Sequence, residues 1–238
     1  MRPNYTLPRL YLDAPLSGEI ALSKAHAHYL GTVLRKGEGE RVRLFNTRDG
    51  EWSAEVVSAA KRAMTVRVVE RLREPHFVPD IRLLFAPIRK HRMSVVLEKA
   101  TELGVRTLQP VITERTQFPK VNLERARAQI VEAAEQTERL DLPALHAPVP
   151  LFEAVGERPV LLADEAGDAV QVWDALERVS TPLDVLIGPE GGFTPAEREQ
   201  LRALPNVHPV TLGPRILRAD TAAIALLTLV QARVGDWH

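Results

Sequence analysis

The stretch IGPEGGFTPAE, residues 187–197, organises the second half of this chain. It follows a short apolar run at residues 183–187, which predicts a buried strand, and it leads into a segment that favours a helix. Thr194 and Glu197 have the spacing of a capping box, and a proline stands between them at the first helical position. The glycines of the loop lack the Cβ atoms that would hold a ligand away from the backbone. This stretch therefore predicts a strand, a ligand-binding loop and a helix in succession.

A second loop, LGPRILRAD at residues 212–220, has the same setting. It follows an apolar run at residues 208–212 and precedes the last helical segment. Asp220 and Thr221 are candidate caps of that helix, and the apolar pair at positions 216 and 217 can wall a slot for a flat ring. Two strand ends therefore bring two glycine-bearing loops together, which suggests a pocket for a nucleotide-like ligand.

The pattern around these loops is an alternation of strands and helices, which predicts a mostly parallel sheet covered on both faces. In such sheets ligands bind beyond the carboxyl ends of the strands. The predicted strands are 81–86, 107–112, 160–163, 183–187 and 208–212, and the predicted helices are 89–103, 122 to about 139, 170–179, 195–204 and 221–234.

The first seventy residues differ, because short alternating strands surround one helix. That helix is expected to be capped by Ser23 and to end at Leu34. The alternation predicts strands at 41–45, 52–57 and 64–69 and a small β-barrel. Residues 71–80 are the predicted linker, and the predicted domains are 1–72 and 73–238.

Composition excludes several classes of protein. The chain has no cysteine, which rules out disulfides, thiolate metal sites and cysteine nucleophiles. Its longest apolar stretch, residues 222–230, is too short to span a bilayer, and its start does not resemble a signal peptide. The three histidines at positions 26, 28 and 91 lack the ligands that would complete a metal site. We expect a cytoplasmic protein with no metal and no membrane span.

The two loops also exclude some chemistry. No Gly-Lys-Ser/Thr follows the first glycine loop and no GxGxxG is present, which argues against nucleotide hydrolysis and hydride transfer. For the first loop taken alone, a tight turn without a ligand is the alternative. Arg215 and Arg218 of the second loop have the alternative of being solvated charges.

Two helices have open interpretations. The basic start of the segment 89–102 suits phosphate contacts, although a solvated face is the default for such a charge run. The helix at 221–234 is apolar on nearly every side of its first ten residues. It must therefore be covered all round, either inside the monomer or at a subunit interface.

Several motifs, in order along nearly the whole chain, resemble one family. They are PRLYLD (8–13), HYLGTVLRKGEGERVRLFN (28–46), KATELGVRTLQPVITERT (99–116), EAAEQTERLDLP (132–143), the two loops and QARVGDW (231–237). Together they resemble the SPOUT methyltransferases, and in particular the bacterial 16S ribosomal RNA (uracil-N3)-methyltransferase family.

The resemblance implies a PUA-like β-barrel followed by a SPOUT-type α/β domain with a C-terminal trefoil knot, a rare exception to the usual connection rules. It also implies a homodimer that binds S-adenosylmethionine in the knot. Carried over by motif, the cofactor-binding residues would be Leu162, Ala163, Asp164, Gly188, Pro189, Glu190, Gly191, Gly192, Leu212, Gly213, Ile216 and Leu217.

The implied reaction is methylation at N3 of one uridine of 16S ribosomal RNA, as free RNA or in the small subunit. Uracil N3 carries a proton, so the protein must favour the uracil anion. We expect Arg218 and Glu190 to be the catalytic residues: Arg218 would stabilise charge on the uracil carbonyls, and Glu190 would keep a negative charge near a cationic ligand. The base is unassigned. The residues expected to contact RNA are Arg9, Arg35, Lys36, Arg89 and Arg92.

One residue departs from the family pattern, since Asp220 stands where relatives often have glutamate before the threonine. A capping role tolerates this change, whereas a substrate contact would have a shorter reach. Two alternatives to the uridine reaction remain: a SPOUT enzyme for another RNA position, and an RNA-binding assembly factor without enzymatic activity.

Overall fold

The computed structural model describes residues 6–60, 63–165 and 168–237. The chain divides into two compact units. Unit 1 comprises residues 1–77 and 134–142, and unit 2 comprises residues 78–133 and 143–238. The predicted division fell between residues 72 and 73 and left 134–142 in the second domain. The structure groups this segment with unit 1, because Ala134 and Leu140 pack on the buried ring of Phe45.

Unit 1 is built on a five-stranded sheet in the order β1-β3-β4-β5-β2, in which β1 and β3 are parallel and the other pairs are antiparallel. Alternate residues of the long strands form its apolar core, as the sequence pattern predicts. Its elements are β1 (Arg9–Tyr11), β2 (Glu19–Ala21), α1 (Lys24–His28), β3 (Arg41–Asn46), β4 (Gly50–Ala60) and β5 (Ala63–Arg73).

The helix of unit 1 starts as predicted, since the Ser23 hydroxyl accepts a hydrogen bond from the His26 amide at 3.1 Å. It is α-helical only to His28 and continues as a π-helical turn, Tyr29–Val33. The predicted linker is also shorter than expected, because β5 remains paired with β4 as far as Arg73.

Unit 2 contains an eight-stranded sheet in which every strand pair is parallel. The order is β11-β13-β10-β12-β6-β7-β8, with β9 beside β7. The strands are β6 (Ile81–Phe85), β7 (Thr107–Ile112), β8 (Ala144–Leu145), β9 (Val149–Pro150), β10 (Val160–Ala163), β11 (Val170–Gln171), β12 (Leu183–Ile187) and β13 (Val207–Thr211). The helices are α2 (Lys90–Glu102), α3 (Leu123–Gln136), α4 (Leu151–Ala154), α5 (Val172–Leu176), α6 (Pro195–Arg202) and α7 (Ala219–Val234).

The predicted helix 170–179 is wrong over its first residues. Val170 and Gln171 form an edge strand that pairs with Val210 and Thr211, and only α5 is helical. Pairing with β13 satisfies backbone groups that the local pattern assigned to a helix.

The last helix, α7, packs along α2 and buries one of its faces. Leu226, Leu227 and Val230 lie on this buried face, whereas Ala225 and Leu229 are only half-buried. Unit 2 therefore covers the apolar helix incompletely. Within the described residues, no helix combines the length and the apolar character that a membrane crossing requires.

Candidate active site

Three neighbouring strands of the parallel sheet, β13, β10 and β12, deliver three loops to one edge. The strands end at Thr211, Ala163 and Ile187. Because all three run in the same direction, their carboxyl ends meet where such sheets bind ligands. The two loops singled out in the sequence are thus brought together, with the residues after β10 between them.

A cavity of about 340 Å³ lies among these loops and the start of α7, and a smaller one of about 60 Å³ adjoins it. Eleven of the twelve predicted cofactor residues line one of the two cavities. The exception is Leu162, whose side chain is fully buried in the apolar core with Leu84 and Leu186. Its side chain cannot contact a ligand in either cavity, because alternation along β10 turns it into the core. A contact through the Leu162 backbone stays a prediction. The larger cavity is also lined by residues that sequence reasoning did not assign to the cofactor: Glu165, Ile187, Phe193, Arg198, Ala219 and Ala222. Arg218, predicted as catalytic, lines it too.

The glycine loop packs around its own aromatic residue. A Cβ atom on Gly188 would lie 2.9 Å from Cε2 of Phe193, closer than real Cβ contacts come, and the Phe193 ring is buried. Gly192 adopts a φ of +65°, a left-handed conformation that favours glycine. The first of these glycines is thus required by the packing of the loop itself, in addition to any contact with a ligand.

The predicted capping box at the start of α6 is confirmed. The Thr194 hydroxyl accepts from the Glu197 amide at 3.2 Å, and the Glu197 carboxylate accepts from the Thr194 amide at 2.9 Å. The second oxygen of this buried carboxylate accepts from the Glu114 amide at 2.8 Å. Glu197 therefore joins the start of the helix to the loop that follows β7.

Arg115, in that same loop, is a site residue that sequence reasoning missed. Its guanidinium donates to the carbonyl oxygens of Gly191 at 2.8 Å and Phe193 at 3.3 Å. The available signal was the polar run TERT directly after a predicted parallel strand, since this run must lie at the ligand edge. The Arg115 side chain therefore restrains the glycine loop through hydrogen bonds to backbone carbonyls of that loop.

Two acidic side chains that line the cavity differ in their surroundings: one is buried and paired with arginines, and the other is exposed. Asp164 is buried, accepts hydrogen bonds from Arg202 at 2.9 and 3.0 Å, and lies 3.3 Å from Nε of Arg198. The Asp168 and Asp164 carboxylates raise the pKa of Arg202 above its ordinary value. Glu190 is exposed on the glycine loop. Asp164 therefore anchors α6, while Glu190 presents its charge to the cavity.

Arg218 stands at the cavity with its side chain exposed. Its carbonyl accepts from the Ala222 amide at 2.8 Å, so its backbone is the N-cap of α7. Among the described residues, no carboxylate lies within ion-pairing distance of Arg218. Its guanidinium is thus available to a substrate.

The predicted capping role of Asp220 and Thr221 is wrong, because α7 begins at Ala219 and includes both residues in its first turn. The Asp220 carboxylate instead accepts hydrogen bonds from Arg92 of α2, at 3.0 Å to each oxygen. Arg92, a predicted RNA contact, is therefore engaged in an ion pair between two helices.

The other predicted RNA contacts divide into one buried and three surface residues. Arg9 is buried, its guanidinium bonds to the Glu51 carboxylate at 2.6 Å, and it also donates to the carbonyls of Ala134 and Arg139. Burial lowers the pKa of Arg9 from its ordinary value. The structure corrects the prediction for Arg9, because its donors are directed to groups inside unit 1 and are not accessible to a phosphate. Arg35 and Arg89 are exposed, and Lys36 pairs with Glu40 at 2.7 Å.

The histidines singled out in the sequence are not joined by other ligands. In the described ranges, no group of three or more His, Asp or Glu side chains has an arrangement that could hold a metal ion.

Comparison with known proteins places the chain in a family. A model of the RNA methyltransferase domain matches residues 75–231, and one of the RNA methyltransferase PUA domain matches residues 22–69. A ribosomal RNA small subunit methyltransferase E from Rickettsia conorii is 33% identical over 231 residues, 94% of each chain.

Two solved structures agree along almost their whole length. A methyltransferase from Legionella pneumophila in complex with S-adenosylmethionine is 32% identical, with a TM-score of 0.84 over 97% of this chain and 99% of the other. A ribosomal RNA small subunit methyltransferase E from Neisseria gonorrhoeae, bound to S-adenosylmethionine, is 28% identical, with a TM-score of 0.85 over 98% and 100%. The chain therefore belongs to the RNA methyltransferase family, together with the ribosomal RNA small subunit methyltransferase E proteins.

Proposed function

We propose that this protein transfers a methyl group from S-adenosylmethionine to N3 of one uridine in small-subunit ribosomal RNA. The observation that carries the proposal is the cavity at the carboxyl edge of the sheet, where the glycine loop meets the exposed Arg218. Family membership supports the reaction class, and the two S-adenosylmethionine complexes among its relatives support the methyl donor.

The residues of the cavity fit this donor. Ile187, Leu217 and Ala222 offer apolar surface to a flat ring, and the backbone of the glycine loop offers hydrogen-bonding groups. Glu190 places negative charge at the cavity, which complements a sulfonium cation. Glu165 also lines the cavity but lies 3.9 Å from the Arg198 guanidinium. When bound, S-adenosylmethionine would supply an electrophilic methyl carbon.

The protein's own part in the reaction is alignment and charge stabilisation. N3 of uracil must lose its proton before its lone pair attacks, and the resulting negative charge spreads onto the two carbonyl oxygens. Arg218 donates hydrogen bonds to a uracil oxygen and thereby stabilises this anion. Glu190 places a negative charge near the positively charged sulfonium of the donor, and the apolar wall excludes water. The proton acceptor is left unassigned.

The proposed fold and assembly are those of the SPOUT enzymes, with a C-terminal trefoil knot and a homodimer formed by unit 2. The strand order supports the knot. β10 lies between β12 and β13, so the loops that follow these two later strands lie on either side of the earlier strand β10. The half-buried face of α7 supports the dimer. We also assign phosphate contacts to Arg35 and Arg89, both exposed, and secondarily to Lys36.

In the direct test, the purified protein is incubated with labelled S-adenosylmethionine and with either naked small-subunit RNA or assembled subunits. The methylated product is then mapped by mass spectrometry. The expected product is a single N3-methyluridine. A methyl group on another atom or another RNA would favour a different SPOUT specificity. Absence of donor binding in calorimetry would favour an assembly factor without enzymatic activity.

The role of Arg218 is tested by Arg218→Ala. Loss of one donor that stabilises developing charge lowers kcat by about 100-fold or more, whereas donor affinity should stay near that of the wild type. Arg218→Lys is the matched variant, because it retains the charge without the planar fork and should recover part of the rate. A wild-type methylation rate in Arg218→Ala would remove this residue from the mechanism.

A further inference from the structure

A separate cavity of about 230 Å³ lies farther along the same sheet edge. It is lined by the chain that leaves β6, the first two turns of α2, residues 118–122 and the start of α3. Ile88, Leu97 and Ala126 are buried and give it an apolar floor. Its size and apolar floor suit a flat organic group rather than a single ion.

This cavity lies close to the proposed methyl-donor site. β6 pairs with β12, so the residues after Phe85 start beside Ile187, where the glycine loop begins. On α2, Lys90 lines the cavity, whereas Arg92 bonds to Asp220 of α7. Two residues along a helix are about 200° apart, so opposite faces of α2 reach the cavity and the start of α7. The cavity and the donor site therefore lie at the same edge of the sheet, on two sides of α2.

The charge of the cavity is uniformly positive. Lys90, Lys120 and Arg125 line it, their side chains are exposed, and within the described part of the chain none of them makes an ion pair. The described residues that line it include no carboxylate. In contrast, Arg92 and Arg115 nearby are held by protein oxygens. Uncompensated cations grouped around one cavity suit the phosphates of a nucleic acid.

The rim and wall also carry an aromatic ring and an amide, the types of group that contact bases in other proteins. The Phe118 side chain is 40% exposed beside these cations. An exposed aromatic ring is the surface on which unpaired bases stack. In the wall, Nε2 of Gln129 donates to the Ser94 hydroxyl at 2.7 Å, which leaves the amide oxygen of Gln129 to accept from a base edge.

We propose that this cavity binds one unpaired nucleotide of the RNA substrate, adjacent to the nucleotide that is methylated. The base stacks on Phe118 above the apolar floor, and Lys90, Lys120 and Arg125 contact the flanking phosphates. The inference rests on the proposed function, because the RNA substrate is what carries a nucleotide to this edge.

The test measures binding of a fluorescent single-stranded fragment of small-subunit RNA to the full-length protein, together with methylation kinetics. Phe118→Ala should weaken RNA binding roughly tenfold, the effect of losing one stacked base. The double variant Lys120→Ala/Arg125→Ala should weaken it further at low salt and lower the salt-dependence slope by about 0.7 for each lost phosphate contact. Arg127→Ala is the matched control, since Arg127 is exposed on α3 but does not line the cavity.

Two further readouts separate recognition of a base from a structural effect. Phe118→Tyr should restore binding, whereas Phe118→Leu, which keeps apolar bulk without a ring face, should not. The variants should raise KM for RNA and leave the affinity for S-adenosylmethionine unchanged. Equal RNA affinity and KM in wild type and all variants would overturn the inference.

The failure of this inference is distinguishable from failure of the proposed function. If the wild-type protein methylates uridine N3 while the cavity variants bind RNA normally, only the nucleotide cavity is rejected. If the wild type does not methylate small-subunit RNA, the proposed function itself fails. A change of oligomeric state in the Phe118 and Lys120/Arg125 variants, with unaltered RNA affinity per protomer, would overturn the inference in favour of a contact with a second copy.

Discussion

The environment of Gly188 differs from the one expected of a glycine in a ligand-binding loop. Glycines in a ligand loop are expected to let the ligand approach the backbone. At Gly188 the nearest obstacle to a side chain is the Phe193 ring of the same loop, 2.9 Å from the site of a Cβ atom. The loop therefore closes on its own aromatic residue, and that packing sets the shape of the cavity wall.

Gly188→Ala should be destabilising, because the new methyl group must displace a buried ring. Overpacking of this kind costs about 1–3 kcal/mol, measured by denaturant unfolding of the full-length protein. Gly191→Ala is the matched control, since a Cβ there would meet the Arg115 side chain at ordinary distances of 3.7 Å to Cδ and 3.8 Å to Cβ. Equal losses in the two variants would contradict the assigned role of Phe193.

At the scale of elements, the loop after β7 supports the glycine loop after β12, two strands away in the sheet. Arg115 bonds two carbonyls of the glycine loop, and the Glu114 amide bonds the Glu197 carboxylate that caps α6. The glycine loop is thus held from outside by side chain and backbone. A loop restrained in this way is preorganised for its ligand.

Arg115→Ala should weaken binding of S-adenosylmethionine several-fold. It should change the unfolding free energy by only about 1 kcal/mol, because the hydrogen bond to Gly191 is exposed and the one to Phe193 is part-buried. Calorimetry of donor binding measures the first effect and thermal unfolding the second. Glu114→Ala is the control, since its backbone amide is retained. Unchanged donor affinity in Arg115→Ala would show that the loop needs no external support.

At the scale of the whole molecule, unit 1 contains a buried ion cluster that joins distant parts of the chain. Glu51 bonds to Arg9 and Arg73, and Glu138 bonds to Arg43 and Arg73. These pairs connect β1, β3, β4 and β5 to the segment 134–142. Removing one partner of such a cluster leaves an uncompensated buried charge.

Unit 1 should lose stability in acid through Glu51. Burial acts to raise the pKa of Glu51, but hydrogen bonds from Arg73 and Arg9 outweigh it and lower the pKa below its ordinary value. A lowered folded-state pKa contributes stability above the unfolded value of about 4.3, and this stability is lost as pH falls through the folded-state pKa.

The measurement is urea unfolding at a series of pH values between neutrality and pH 3. Glu51→Gln should lose about 3–5 kcal/mol at neutral pH and show a weaker loss in acid than the wild type. Glu55→Gln, on the same strand but outside the cluster, should retain the wild-type profile. An unaltered acid profile in Glu51→Gln would exclude Glu51 as its source.

The proposed homodimer gives a second prediction for the whole molecule. Sedimentation should give twice the chain mass of 26.5 kDa. Leu229→Glu, on the half-buried side of α7, should shift the protein to monomers, because a charge is costly in an apolar interface. Gln200→Glu, at an exposed position of α6, should remain dimeric. A monomeric wild type would reject the proposed assembly.

Sequence patterns predicted much of the fold correctly. The mixed α/β architecture with a PUA domain is confirmed, as is the capping box of α6. The α/β architecture and the capping box depend on local spacing: alternation, apolar runs and cap residues three positions apart. The PUA domain was implied by the family resemblance. Family membership is also confirmed, because its motifs are contiguous stretches of the chain.

Features that depend on partners far apart in sequence could not be predicted in this way. Arg9 and Arg92 carry charges that suit phosphate, yet Glu51 lies 42 positions from Arg9 and Asp220 lies 128 positions from Arg92. The support of the glycine loop by Arg115 spans 76 positions. Periodicity shows whether a residue belongs to a strand or a helix, but the partner of a charged side chain depends on which elements the sheet order makes neighbours. For this protein the local pattern was sufficient for most elements and for the family. Only the tertiary structure decided which cations are paired with protein groups, such as Arg9 and Arg92, and which stay exposed, such as Arg218.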